Sequence, residues 1–184
     1  MKGVPKMKKN VMYQCISYIL IGILIFLDQY TKHWAVVHLK DNSPIMVIDK
    51  ILEFSYLENR GAAFGSMQGQ QLFFIVLTLF LTIFLFYFLY KIPKTKYYLP
   101  MIVAIIILIS GAIGNLIDRI INNYVVDFIS TIFIDFPVFN VADIYVVSSM
   151  ILAVILLTFR YKEEDFSFLS LKRIKKKECG EGNK

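Results

Sequence analysis

The chain has 184 residues, of which 57% are hydrophobic and 18% charged, and its formal net charge is +6. Its mean hydropathy is +0.61, and the apolar residues come in long blocks, so the composition excludes an ordinary soluble domain and indicates a membrane protein. The two cysteines, Cys15 and Cys179, are too few and too far apart for a disulfide framework or a metal site. We assign neither of them a role.

Four uncharged runs of 16 to 19 residues indicate transmembrane helices, because a membrane span needs roughly 20 apolar residues. When the polar residues that flank these runs are included, the helices are expected at about 11–34, 71–90, 99–119 and 141–160. The predicted organisation is a single membrane domain, 1–160, followed by a basic cytoplasmic tail, 161–184.

The basic residues predict the orientation, because cytoplasmic flanks of membrane helices retain Lys and Arg. Fifteen of the 20 lie in the N-terminal tail, in the loop 91–98 or after Phe159. We therefore expect both termini to be cytoplasmic. The long connections, about 35–70 and 120–139, are then extracytoplasmic.

The first long connection contains a turn signal, Asn42-Ser-Pro44, followed by two segments with partial period-two hydrophobicity. These segments are Ile45-Met-Val-Ile48 and Ile51-Leu-Glu-Phe-Ser-Tyr-Leu57. They predict a short antiparallel sheet that rests on the membrane surface.

The third helix carries a polar stripe, since Asn115, Asp118 and Arg119 are spaced i, i+3, i+4 and share one face. Gly111 and Gly114 lie just before them and allow close approach of another helix. The stripe is therefore expected to face the other helices.

The predicted topology brings several distant polar clusters to one membrane face. These clusters are Asp28-Gln-Tyr-Thr-Lys32, Asn59-Arg-Gly-Ala-Ala-Phe64, Gly114-Asn-Leu-Ile-Asp-Arg119, Val126-Asp-Phe128 and Phe139-Asn-Val-Ala-Asp143. Charge at a bilayer edge is costly unless it is paired or used, so their convergence predicts a functional site.

Purely structural roles compete with a catalytic one. Asp28 and Lys32 are spaced for an i, i+4 ion pair, and Asn140 is placed to cap the fourth helix with Asp143 near its third position. Asp118 could belong to an ordinary polar helix end. These roles explain the residues one at a time but do not explain why they occur together.

The residue types in these clusters limit the chemistry. The histidines, His33 and His38, offer no His-x-x-x-His zinc pair, and neither cysteine lies near the clusters. Two close carboxylates that share one proton remain, with the ionised one activating water and the protonated one polarising a carbonyl. Such an aspartic peptidase needs no metal and no cofactor.

The ordered motifs within residues 28–143 resemble those of a bacterial family, lipoprotein signal peptidase or signal peptidase II. The resemblance implies a membrane aspartic endopeptidase that removes signal peptides from prolipoproteins by cleaving before a diacylglyceryl-modified cysteine. It implies four transmembrane helices with a small extracytoplasmic β cradle, in the bacterial cytoplasmic (inner) membrane, with the active site near the extracytoplasmic face. The expected partners are prolipoproteins and membrane lipids, not nucleic acid.

The family pattern places the catalytic pair at Asp127 and Asp143. Asp118 is the main competitor, and the residues alone do not choose between Asp118 and Asp127. Eight further positions are expected to bind substrate or to support the site: Asp28, Lys32, Asn59, Arg60, Asn115, Asp118, Arg119 and Asn140.

Two other functions are compatible with parts of the sequence. A proton-coupled carrier also uses carboxylates in membrane helices, but it predicts acids near the bilayer midplane rather than at helix ends. A non-enzymatic scaffold explains the apolar helices and leaves the motif spacing without a reason.

Overall fold

The structure, a computed structural model, describes residues 6–61, 69–134 and 136–169. Its four long helices are α1 (Lys6–Leu39), α2 (Gln71–Lys91), α3 (Leu99–Asn122) and α4 (Val141–Phe159). Each is long and apolar enough to cross a membrane, which confirms the predicted four-helix fold. A 3-10 helix, Glu163–Leu169, follows α4.

Several sequence features lie outside the described residues. They are Lys2, the Ala62-Ala-Phe64 part of the second motif, Cys179 and most of the predicted basic tail, 170–184.

Helix α3 is the centre of the bundle, because α1, α2 and α4 all pack against it. In the most apolar stretch of α3, 61% of the residues are buried, against 11% to 17% in the corresponding stretches of the other three helices. Residues of α3, four of them isoleucines, form half of a core of ten buried side chains, namely Ile21, Leu89, Ile92, Met101, Ile102, Ile105, Ile106, Ile109, Leu156 and Tyr161. The remaining helices expose large apolar side chains, as expected of lipid-facing surfaces.

The glycines of α3 allow the close approach expected from the sequence. A Cβ on Gly111 would lie 2.5 Å from the carbonyl oxygen of Ala142, and one on Gly114 would overlap the Asp28 carboxylate. The backbone of α3 therefore lies directly against α1 and the start of α4.

A three-stranded antiparallel sheet, ordered β1-β2-β3, lies beside the bundle. Its strands are β1 (Ile45–Ile48), β2 (Leu52–Asn59) and β3 (Val125–Thr131). The first two strands form the hairpin that the sequence predicts. The third was not anticipated, because its first four residues are all buried and show no alternation of apolar and polar positions.

Strand β3 is packed on both faces. Val126 and Phe128 lie in a cluster with Ala35 and Leu39 of α1, while Asp127 alternates to the opposite face. The final turns of α1, which extend past the expected end at residue 34, support the sheet through this cluster.

Replacement of Gly114 by Ala should destabilise the bundle by about 1–3 kcal/mol, because the added methyl group overlaps the Asp28 carboxylate and the neighbouring backbone is packed. Thermal unfolding in detergent would measure the loss. Gly22→Ala is the matched control, since a Cβ at Gly22 on α1 meets nothing within 4 Å. Equal stability of the two variants would contradict the close packing of α3 on α1.

Candidate active site

A buried cation lies at the junction of α1 and α3. The Lys32 Nζ is 3.0 Å from Asp28 Oδ2 and 3.0 Å from Asp118 Oδ2, and it donates a hydrogen bond of 2.9 Å to Asn115 Oδ1. Lys32, Asp28 and Asp118 are only 3%, 0% and 3% exposed. Charges so deeply buried are tolerated only when they are paired and hydrogen-bonded, so the three residues depend on one another.

Asp28 connects this ion cluster to the start of α4. Its Oδ1 accepts a 2.9 Å hydrogen bond from the backbone N–H of Ala142, one of the N–H groups that a helix leaves without an internal partner. Asp28 thereby fixes the residue that precedes Asp143. The i, i+4 pair with Lys32 is present within α1, and its two members also bind Asp118 of α3 and Ala142 of α4.

Asp118 connects the same cluster to β3. Its Oδ2 accepts a 3.1 Å hydrogen bond from the N–H of Val126, and its Oδ1 accepts one of 3.0 Å from Gln29 Nε2. With Lys32 also bound, both carboxylate oxygens of Asp118 are occupied. Asp118 therefore holds the residue that precedes Asp127.

The start of α4 is closed by a capping box. Asn140 Oδ1 accepts a hydrogen bond from the Asp143 N–H at 3.0 Å, and Asp143 Oδ2 accepts one from the Asn140 N–H at 3.1 Å. The capping role considered from the sequence is thus real. It leaves Asp143 partly exposed at the edge of a cavity, so capping and a chemical role are compatible.

Amide side chains orient the two remaining carboxylates. Asp127 accepts hydrogen bonds from Asn140 Nδ2 at 2.6 Å and from Asn59 Nδ2 at 2.8 Å. Asp143 Oδ1 accepts one of 2.8 Å from Asn115 Nδ2. Asn140 contacts both acids and so fixes them relative to each other.

Sheet register explains how Asn59 reaches Asp127. Asn59 pairs with Val125 across β2 and β3, and Asp127 lies two residues further along the same face of β3. Such diagonal neighbours on one face are within side-chain reach.

Asp127 and Asp143 both line a cavity of about 530 Å³, a volume typical of ligand sites. Its other walls come from the end of β2, α3, the segment before α4 and one face of α4; they are Asn59, Gly61, Arg119, Phe136, Pro137, Val138, Phe139, Ile144, Val147, Ser148 and Ile151. Asp28 and Asp118 are not among these residues. The structure thus separates the four acids into two buried in an ion cluster and two that face a cavity.

Burial and, to a lesser degree, the nearby Asp143 carboxylate together raise the pKa of Asp127 to about 7. Hydrogen bonds from Asn59 and Asn140 oppose the shift because they stabilise the ionised form. A pair of close carboxylates can act as acid and base while it carries one proton, and a pKa of about 7 at Asp127 allows the pair to carry that proton near neutral pH.

The two predicted arginines have different positions. Arg119 lines the cavity, with its guanidinium 5.2 Å from the centre of the Phe74 ring. Within the described part of the chain, the buried Nε of Arg119 has no hydrogen-bond partner. Arg60 is exposed, pairs with Glu58 at 2.9 Å and lies over the Tyr124 ring, so the structure does not bring it to the cavity.

Sequence reasoning did not select Gln29, although it lies inside the first motif. Its Nε2 donates to Asp28, to the Gly114 carbonyl oxygen and to Asp118, at 3.2, 3.1 and 3.0 Å. The position beside a motif acid was the available signal. The apolar cavity wall was also missed, because its residues look like any lipid-facing side chains.

The described residues contain no group of three or more His, Cys, Asp or Glu side chains that could hold a metal ion. Catalysis without a metal or cofactor stays a prediction. Two carboxylates in the wall of one cavity, Asp127 buried and Asp143 partly exposed, each oriented by amides, are the arrangement that aspartic peptidases use.

Comparison with known proteins agrees with this class. The family described as "Signal peptidase (SPase) II" matches residues 20–159. The chain is 41% identical over 150 residues to the lipoprotein signal peptidase of Streptococcus thermophilus (strain CNRZ 1066), covering 81% of this chain and 94% of that protein. It is 44% identical over 156 residues to the lipoprotein signal peptidase of Clostridium tetani (strain Massachusetts / E88), covering 82% and 96%.

Solved structures show the same fold. One that is described as a bacterial membrane enzyme, determined by the in meso method, has a TM-score of 0.71 and 37% identity, covering 87% of this chain and 94% of that one. The chain therefore belongs to the signal peptidase II family, and it is a membrane peptidase. The carrier and scaffold interpretations are set aside by this membership.

Replacement of Lys32 by Met should destabilise the protein by about 3–5 kcal/mol, because it leaves Asp28 and Asp118 buried without a counter-charge. Lys40→Met is the matched control, at the residue that follows α1. Lys40 pairs with Glu58 at 3.4 Å on the surface, where such a pair contributes about 0–1 kcal/mol. Thermal unfolding in detergent distinguishes the two, and a Lys32→Met protein as stable as Lys40→Met would contradict the buried cluster.

Proposed function

We propose that this chain removes signal peptides from prolipoproteins by cleaving before a diacylglyceryl-modified cysteine, with Asp127 and Asp143 as the catalytic pair. The observation that supports this pair is that the four acids fall into two groups with different surroundings. Asp127 and Asp143 line the cavity, whereas Asp28 and Asp118 are occupied by Lys32 and by backbone N–H groups.

In the proposed reaction, the pair carries one proton and one negative charge. The ionised carboxylate takes a proton from water as the water oxygen attacks the scissile carbonyl carbon, and the protonated carboxyl donates a hydrogen bond to the carbonyl oxygen. The tetrahedral intermediate then loses its C–N bond while the leaving nitrogen accepts a proton from the pair. The raised pKa of Asp127 favours Asp127 as the carrier of the shared proton.

The polar neighbours have positioning roles in this proposal. Asn59, Asn115 and Asn140 hold the carboxylates by the hydrogen bonds described above. Arg119 faces the same cavity with a guanidinium that has unused donor capacity, which suits it to orient a carbonyl oxygen of the substrate.

The location is also part of the proposal. We place the protein in the bacterial cytoplasmic membrane with its termini in the cytoplasm and the site near the extracytoplasmic face. In support, Lys91 is the last residue of α2, Lys94 and Lys96 follow that helix, and Arg160 follows α4. These basic residues lie at helix ends opposite to the acids, where cytoplasmic Lys and Arg are expected.

Purified protein should cleave a diacylglyceryl-prolipoprotein in detergent, with the new N-terminus at the modified cysteine. Mass spectrometry of the products would identify the bond. The same peptide without the lipid should be cleaved far more slowly, because the acyl chains partition it into the apolar phase at about 0.8 kcal/mol per buried methylene. Equal cleavage of both peptides, or cleavage elsewhere, would contradict the assigned substrate.

The pH dependence should follow the proton on the pair. The pKa of Asp127 is raised to about 7, so the shared proton is present below that pH and is lost as the pH rises through it. The kcat/KM of wild type, which reports the free enzyme, should therefore fall on the alkaline side of about pH 7.

Asn59→Ala should move this alkaline limb to higher pH, because it removes a hydrogen bond that stabilises ionised Asp127. Asn42→Ala is the control, since its exposed side chain contacts only nearby carbonyl oxygens. An alkaline limb that does not move in Asn59→Ala would mean that Asp127 is not the group that titrates.

A further inference from the structure

The cavity has an apolar extension that hydrolysis of a peptide bond does not use. Ile144, Val147, Ser148 and Ile151 of α4 line it at spacings that place them on one helix face. With a rise of 1.5 Å per residue, this face extends about 10 Å along α4, away from Asp143 and into the apolar run.

No described element covers this face. Ile144, Val147 and Ile151 are 44%, 56% and 57% exposed. The only polar side chain among the four, Ser148, donates its hydroxyl hydrogen to the Ile144 carbonyl oxygen at 2.6 Å, so it is already satisfied. The surface therefore fits an occupant that is wholly apolar.

The chemistry of the substrate, taken from the proposed function on which this inference rests, says where its acyl chains must begin. The modified cysteine supplies the scissile nitrogen, and its thioether sulfur and glyceryl group are only a few bonds away. The acyl chains must therefore leave the site directly beside Asp127 and Asp143. The α4 face begins at Ile144, the residue after Asp143, and leads from there along the membrane span.

We propose that this face, formed by Ile144, Val147 and Ile151, is the seat of an acyl chain of the substrate's diacylglyceryl group. Because bilayer lipids are as apolar as these side chains, the seat gains little from the hydrophobic effect and acts through packing. An acyl chain held there restricts the orientation of the cysteine and so presents the scissile bond to the pair.

The apolar segment of the signal peptide is the other possible occupant, and its width argues against it. The face formed by Ile144, Val147 and Ile151 is a single row of side chains on one helix. A helix is about 10–12 Å wide with its side chains. A single acyl chain is narrow enough to lie along one helix face.

The test compares one prolipoprotein peptide carrying either a diacetylglyceryl or a dipalmitoylglyceryl group, in the same detergent, with kcat and KM measured separately. Val147→Trp should reduce the preference for the dipalmitoyl over the diacetyl peptide about tenfold, mainly through KM, as expected from loss of about 1.4 kcal/mol of binding. Met150→Trp is the matched control, because Met150 is 54% exposed at the same depth on α4, lies off this face and does not line the cavity. It should keep the wild-type preference.

A second variant tests the direction in which the acyl chain runs along α4. Ile151 lies about one turn beyond Val147, so in Ile151→Trp the loss of preference should appear only with longer acyl chains than in Val147→Trp. Dibutyryl, dioctanoyl and dipalmitoyl peptides would locate this threshold. A variant that is merely misfolded would lose turnover at every chain length.

Three results would overturn the acyl seat. Val147→Trp could impair the diacetyl and dipalmitoyl peptides equally, which would favour the signal peptide as occupant. It could leave the cleavage of both peptides at the wild-type level, or Met150→Trp could reduce the preference as much, and either result would make this face an ordinary lipid contact. Cleavage of the diacetyl peptide by wild type tests the proposed function separately, and a wild type that cleaves neither peptide would remove both proposals.

Discussion

The structure depends on one buried cation, Lys32, and on the rule that a charge removed from water must be paired. Lys32 compensates Asp28 and Asp118, and each of these acids uses a further oxygen lone pair to bind a backbone N–H group. Those N–H groups belong to Ala142 and Val126. The cluster therefore fastens the start of α4 and the start of β3 to the junction of α1 and α3, and it does so immediately before each of the two cavity-facing acids.

This arrangement explains why the carboxylates that hold the helices and strands together differ from the two that are proposed to act in catalysis. Asp127 and Asp143 each follow an anchored residue, so bonds made by their neighbours, in addition to their own, fix their placement. Their oxygens contact amide donors, from Asn59, Asn115 and Asn140, and amides orient a carboxylate without neutralising it. A pair oriented in this way can still exchange a proton with water and substrate. The same anchoring leaves the lipid-facing side of α4 free, and the proposed acyl seat begins there.

Much of the fold follows from the sequence because apolar length and basic flanks are strong signals. The four helices and the β1–β2 hairpin were predicted, whereas β3 was not, since a strand buried on both faces has no period-two pattern to find. The motifs identified the acids as a group, but the division between Asp118 and Asp127 depends on which oxygens meet Lys32 and which meet the cavity. Spacing along a chain contains no such information. The position of Arg60, turned toward Glu58 and away from the cavity, could not be read from its motif for the same reason.

The central claim is that Asp127 and Asp143 perform the chemistry while Asp118 supports them. It is tested most directly by cleavage of a purified diacylglyceryl-prolipoprotein in detergent by wild type, Asp118→Asn, Asp127→Asn and Asp143→Asn proteins, each first shown to be folded. We expect no detectable turnover in Asp127→Asn and Asp143→Asn, and reduced but measurable turnover in the folded fraction of Asp118→Asn. Turnover retained in folded Asp127→Asn, together with complete loss in folded Asp118→Asn, would contradict it.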